Sequence, residues 1–412
     1  MLRLLPWIAL LALAGAGCHK KPDQDHGKAT PAAGSVGTGA GAQGGPGAAG
    51  AAPPAAPLDL EDPKACAACH AAIVAEFTDS MHAQAHHELD PIYRAMRTLR
   101  IAKEGEQIPQ ACARCHTPRA VSAPDSELAR AGVSCATCHN LAKVELSAEA
   151  RGVEALRFAE PTMLRGPHDV APGKAVVHGT GPAQPALADG TTVCLACHGE
   201  ERNPQGLATC ATGVEHAGDE RSCTSCHMPE VPAPNGVAGT RPTHRSHAFL
   251  GPHRAWQHGD LSLFAEHLSV SGRFEGKRFI AVLHNRAAHS FPTGFPARLA
   301  MLAMTGFDAK GQQVWSNFAK DPLADHPDAV FGKGYVDAEG KPTLAPYAAK
   351  MARDHRLERN EQRELGVEVP PTVARVELAL KLWLVAPLAA QKLSLTGPLT
   401  EPRVILKATA TR

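Results

Sequence analysis

The spacing of apolar positions changes along the chain and divides it into four stretches. Residues 1–18, MLRLLPWIALLALAGAGC, carry one early Arg, then an apolar run, then small residues ending at Cys18. That run is too short to span a bilayer and reads as an export signal. Residues 19–58 contain almost no large apolar side chain, and 27–57 are nearly pure Gly, Ala, Pro, Ser and Thr. Nothing there can offset the entropy of ordering, so the stretch reads as a disordered linker.

From 59 to 260 the apolar residues come in short groups separated by Gly and Pro, which predicts short helices and loops. One helix has clear ends: Asp90 is a cap, Pro91 suits the first turn, IYRAMRTLRIAKE follows, and Gly105 stops it. Its Arg94, Arg97, Arg100 and Lys103 read as a solvated basic face, with cofactor carboxylates as the alternative partners. From 261 to 412 the pattern turns to alternation. After a short helix over 261–270, KRFIAVLHN, RLAMLAMTGFD, QQVWSN, RELGVEVP, ARVELALKLWLV and RVILKATA read as strands broken by turns such as DAKGQ and DAEGK. LAPYAAKMARD, 344–354, reads as a helix between strands. The fold class expected is multidomain α+β: a mainly helical and irregular domain over 59–260, then a C-terminal β-sandwich domain over 261–412.

Composition alters this picture once. Aromatic residues make up only 4% of the chain, so something other than protein must fill part of the interior. The cysteines say what. Ten of the twelve lie in CAACH (66–70), CARCH (112–116), CATCH (135–139), CLACH (194–198) and CTSCH (223–227). Two cysteines three apart can form thioethers with the two vinyl groups of one haem, and the next residue then lies under the iron. Zinc would not require a His after every pair, and five is an odd number for sites that use pairs in twos. The expectation is five covalent haem c groups. Their thioethers fall to Cys66, Cys69, Cys112, Cys115, Cys135, Cys138, Cys194, Cys197, Cys223 and Cys226. Their iron falls to the proximal His70, His116, His139, His198 and His227. The motif spacing makes the second and third sites, and the fourth and fifth, expected neighbours. Cys210 is left over and reads as a buried thiol.

A haem with His on both faces suits electron passage, whereas an open sixth position permits chemistry on a small substrate. His82, His86 and His87 follow the first motif, and His82 is the favoured ligand among them. His168 and His178 lie in a Gly/Pro-rich loop before the fourth motif and are weighed against plain surface histidines. THRSHAFLGPHR places His244, His247 and His253 just past the last motif, and at least two of them are expected to be axial. AAHSFPTGF, 287–295, holds His289 before a turn that Pro292 stiffens and Gly294 permits. It is either a ligand presented to the other domain or a structural turn.

These residues resemble the cytochrome c-554-like group of multihaem cytochromes c. CAACHAAIVAEFTDSMHAQA is similar to its opening motif and Ser-x-His. GVSCATCHN, TTVCLACHGE and CTSCHMPEV are similar to its later motifs, and SHAFLGPH to its histidine-rich segment. HNRAAHSFPTGFPARLAML resembles the start of an appended domain in which Gly-His-x-Phe-Pro-Thr-Gly opens a β-sandwich, and DHRLERNEQREL a later segment of it. The resemblance implies electron transfer among bis-His haems in an exported respiratory protein. It carries over the five motif sites, His82, one SHAFLGPH histidine and His289. The chain departs from the group in having five motifs where its smallest members have four, and Ala288 where Gly is usual. Enzymes that reduce nitrite or oxidise hydroxylamine are wider relatives. No CxxCK motif is present, and Tyr93, Tyr335 and Tyr347 lie in no context that marks a haem crosslink.

The net charge of +1 gives no reason to expect a nucleic acid partner. The residues before Cys18 resemble a lipobox, with Gly15 where Leu is usual, so Cys18 is expected to carry a lipid. The functional expectation is a periplasmic or outer-membrane bacterial lipoprotein that passes electrons between donor and acceptor proteins of the envelope. The alternatives are an oxidoreductase acting on a small nitrogen or sulfur compound at one open haem, and a cytochrome whose β-sandwich is a docking module.

Overall fold

The computed structural model describes residues 59–170, 177–237 and 241–412, and residues 58–412 form one compact unit. The export signal, the linker and Cys18 lie outside the described residues. Among those described, no helix is long and apolar enough to cross a membrane.

The first half is built from short helices: α1 (Pro63–Thr78), α2 (Pro91–Glu104), α3 (Ile108–His116), α4 (Cys135–His139), α5 (Pro185–Ala188), α6 (Thr192–His198), α7 (Thr212–His216), α8 (Cys223–His227), α9 (Pro252–Gln257) and α10 (Ser262–His267). Three two-stranded ribbons tie them together: β1 (Leu141–Val144) with β2 (Leu156–Phe158), β3 (Glu201–Arg202) with β4 (Ala208–Cys210), and β5 (Glu230–Val231) with β6 (His244–Arg245). Helix α2 has the predicted ends. The Asp90 carboxylate accepts from the N–H groups of Ile92 and Tyr93 at 2.8 and 3.2 Å, and Gly105 takes φ +99°. Its basic side chains are largely occupied by protein: Arg94 donates to the His87 and Glu88 carbonyls, Arg97 pairs with Asp125, and Arg100 pairs with Glu104.

The second half is a two-layer sheet structure. One layer has the order β12 (Lys350–Asp354), β11 (Val330–Val336), β9 (Leu299–Phe307), β14 (Arg375–Trp383), β15 (Arg403–Thr411), with β10 (Gln313–Ser316) also paired to β9. The other has the order β13 (Gln362–Glu368), β8 (Arg278–Asn285), β7 (Leu268–Glu275). Alternation decides the faces: in β14 Val376, Leu378, Leu380 and Leu382 are all buried, and they share one core with Phe279, Ala281 and Leu283 of β8. This agrees with the C-terminal β-sandwich. Two readings need correction. LAPYAAKMARD forms a short 3-10 turn and then strand β12, because its 350–354 half pairs with β11. The helix expected over 261–270 ends at His267, and Leu268 begins β7.

The two halves differ in what fills them. Before Pro252, most of the buried apolar residues are alanines, joined by only a few large side chains such as Phe77, Ile108, Leu141 and Leu156. The sandwich instead has a continuous core of Leu, Val, Phe and Met. The halves are also bonded to each other. Asn203 donates to the Ala345 and Ala348 carbonyls, Arg356 pairs with Glu215 at 2.5 Å, and Trp256 donates to the Pro398 carbonyl.

Candidate haem-binding site

The CxxCH motifs end helices α3 and α6, make up the whole of α4 and α8, and in the first case sit inside α1. There the backbone leaves helical geometry at His70, with φ −119° and ψ 41°. A helical turn puts residues three apart on one side, so both cysteines of a motif face the same way. The motifs also meet each other through their thiols. The sulfur of Cys66 lies beside that of Cys135, Cys115 beside Cys197, and Cys194 beside Cys223, close enough for each to shift the other's ionisation. The first motif therefore adjoins the third, the second adjoins the fourth, and the fourth adjoins the fifth. The fourth and fifth were expected neighbours. The second motif adjoins the fourth, a contact set by tertiary folding rather than by distance along the chain.

Three of the motif histidines face a second histidine. His227 and His289 have ring centroids 6.2 Å apart and planes 17° apart. His139 and His247 are 6.2 Å apart at 26°, and His82 and His198 are 6.1 Å apart at 58°. Imidazoles in direct contact would lie much closer. Two rings that share one metal ion, at about 2 Å for each nitrogen–metal bond, have centroids roughly 6 Å apart. The spacing fits an iron between each pair.

The hydrogen bonds fix which nitrogen is free. Nδ1 of His70, His116, His139 and His227 donates to the carbonyls of Asn235, Ala85, Arg165 and Leu250 at 2.6, 3.2, 2.8 and 2.5 Å. His247 and His289 do the same toward Arg245 and Ser290 at 2.8 and 3.0 Å. A proton held on Nδ1 leaves a lone pair on Nε2, the form a metal requires. Burial also favours the neutral ring at six of the histidines. It holds His82 down to about 3, and His198 and His247 to about 4, and it lowers His116, His139 and His289 in the same direction.

The remaining histidines divide on the same criterion. His244 is buried with both nitrogens committed, Nδ1 to the Ala233 carbonyl at 2.9 Å and Nε2 to the Glu76 carboxylate at 3.2 Å, so neither nitrogen is free to face an iron. His86 is likewise committed, to the Pro124 carbonyl and the Glu88 N–H, and it does not continue the first helix because α1 ends at Thr78. His87 faces Asp125 at 3.5 Å. His168 is exposed. His178 has Nδ1 on the Gly179 carbonyl at 3.1 Å and lies, with His70, in the surroundings of His139. His253, on α9, is held down to about 3 by burial and by Arg298. Burial pushes the Cys210 thiol up to about 11, which keeps it protonated.

The loop that presents His289 is clamped from four sides. Phe291 exchanges both backbone hydrogen bonds with Leu357, in the DHRLERN segment, at 2.8 and 2.9 Å. Thr293 Oγ1 donates to Glu215 of α7 at 2.5 Å, and Gly294 takes φ +76°, a conformation that suits glycine. The Phe291–Pro292 peptide is cis. Asn285 is fully buried; its Nδ2 donates to the His289 carbonyl at 2.9 Å and the Glu358 carbonyl at 2.8 Å, and its Oδ1 accepts from the Ala287 N–H at 3.1 Å. Sequence reasoning missed Asn285. The signal was an Asn closing an apolar strand just before the turn.

The chain matches the family model described as cytochrome c554 and c-prime over residues 65–140. Its fold is similar to the crystal structure of a penta-heme cytochrome c552 from Thermochromatium tepidum. That match has a TM-score of 0.72 at 26% identity and covers 86% of this chain and 100% of that one. No curated protein matches it.

Proposed function

Because the chain belongs to the multihaem cytochrome c family, and that family implies electron transfer, we propose that it carries five haem c groups and relays electrons between proteins of a bacterial envelope. Haem c, when bound, supplies one-electron chemistry between ferric and ferrous iron. The protein's part is to hold, orient and shield. In this reading Cys66 and Cys69, Cys112 and Cys115, Cys135 and Cys138, Cys194 and Cys197, and Cys223 and Cys226 provide the thioethers. His70, His116, His139, His198 and His227 would each provide one nitrogen to an iron.

The observation that carries the proposal is the set of three histidine pairs at 6.1–6.2 Å. A ring on each face leaves no open position, which favours a relay over a catalyst at the third, fourth and fifth sites. His178 and His253 are the remaining partners for the first and second sites. His178 shares its neighbourhood with His70, since both act on His139. His253 shares its neighbourhood with the second site through Arg298 and Asp90, the latter of which also acts on His116.

The similar structure, described as penta-heme, supports the count of five. An export signal, a lipid on Cys18 and the tether over 19–58 complete the proposal. They would set the protein at a membrane surface, within reach of donor and acceptor proteins. The test is the intact mass of the mature protein made in a host with haem-attachment machinery. The expected mass is the polypeptide from Cys18 with its lipid and five haems. Four haems or fewer would defeat the five-site reading, and a mass without lipid would defeat the anchor.

A further inference from the structure

Arg298 sits between the His289 loop and strand β9, at the seam of the two halves. Its Nη1 donates to the Thr293 carbonyl at 2.6 Å, and its Nε is buried with no hydrogen-bond partner. Gly294 makes room for it: a Cβ there would lie 2.8 Å from Nη1. Among the described residues no carboxylate pairs with this guanidinium. Asp90 acts on it from a distance, but its Oδ1 already caps α2, and Glu215 is engaged by Arg356 and Thr293.

A guanidinium does not give up its charge, and burying it without a counter-ion costs several kcal/mol. Burial does pull Arg298 down, to about 10, which still leaves it charged at neutral pH. Thr293, whose carbonyl accepts from it, lies 3.1 Å by its hydroxyl from Thr212 Oγ1, and the neighbouring Gly213 donates to the Gly199 carbonyl, next to His198, at 3.1 Å. The side chain therefore lies beside the fourth CxxCH site and presents the Nε edge, with Nη1 already used. That edge, Nε with Nη2, is the one that binds a carboxylate with two parallel hydrogen bonds.

We infer that Arg298 is the partner of a carboxylate of the haem attached at Cys194 and Cys197, so that the β-sandwich supplies charge to one site as well as a ligand to another. The inference rests on the fourth motif binding haem c. One loop then serves two sites, with His289 turned to the fifth and Arg298 to the fourth. A paired carboxylate stays ionised across the neutral range. Without the guanidinium, the carboxylate is more easily protonated when the site gains an electron, and one-electron reduction there is accompanied by uptake of a proton.

The test is spectroelectrochemical titration of the full-length protein at several pH values, with haem attachment at each motif read by peptide mass. In the wild type the component assigned to the fourth site is expected to keep a constant potential across the neutral range. In Arg298→Gln one component should move to lower potential at alkaline pH and acquire a pH dependence, while the others stay. Arg298→Lys, which keeps the charge, should hold that component near its wild-type position. Unmoved components in a fully loaded Arg298→Gln protein would overturn the pairing and leave Arg298 as a tie to Thr293. A proton-coupled slope in every wild-type component would overturn it without any variant. Absence of haem on Cys194 and Cys197 in the wild type would overturn the premise, and that result is separately visible in the peptide masses.

Discussion

At the scale of the residue, the useful distinction among the histidines is what each nitrogen is bonded to. His247 and His289 tie Nδ1 to a carbonyl and leave Nε2 toward a motif histidine, whereas His244, in the same histidine-rich segment as His247, has both nitrogens occupied. His289→Ala is therefore expected to turn the site at His227 high-spin and leave the others low-spin, as read by EPR. His247→Ala should do the same at His139. His244→Ala should leave every spin state unchanged. The CxxCH residues stand out in the sequence because thioether chemistry and the ligand beside it require contiguous residues. The second ligands were legible only as segments. Nothing local separates His244 from His247, three positions apart with different hydrogen bonding, because the difference lies in Glu76, which is remote in sequence, and in the fold that brings Ala233 to His244.

At the scale of the element, local signals decided the outcome where an element ends on a strong cap. Helix α2 begins and ends where Asp90 and Gly105 predict. Asp90→Ala removes two cap hydrogen bonds and should lower stability by about 1 kcal/mol in a denaturant titration with the haem complement unchanged. Where pairing partners decide, the local reading failed. LAPYAAKMARD is rich in helix-forming Ala, yet Lys350–Asp354 is an edge strand because β11 offers it hydrogen bonds. β11 itself, VFGKGYV, was overlooked because two glycines blur its alternation. The six apolar runs read as strands are all strands: β14 alternates throughout, β8 and β9 join a buried run to alternation, and β10 forms through its pairing with β9 although its burial does not alternate.

At the scale of the whole molecule, the sandwich and the motif region are parts of one compact unit, joined through the loop that carries His289. Glu215 is central to that joint: it pairs with Arg356, with both side chains largely buried, and accepts from Thr293 in the loop. Glu215→Ala frees the loop and leaves Arg356 paired with Asp354 alone. Unfolding should become easier by about 1–2 kcal/mol, and a fraction of the His227 site should become high-spin. Full stability with unchanged spectra would show that the joint does not depend on this pair. The link between the halves was only partly legible. FPTG marked a stiff turn, but that its histidine faces His227 follows from the fold as a whole, including Asn285 and Leu357.

The central claim is that every iron is held by two histidines and that the protein passes electrons rather than transforming a substrate. EPR of the oxidised full-length protein, integrated against its haem content, tests this most directly. The account predicts low-spin ferric signals that sum to all five sites. A high-spin ferric signal amounting to one haem in five would contradict it.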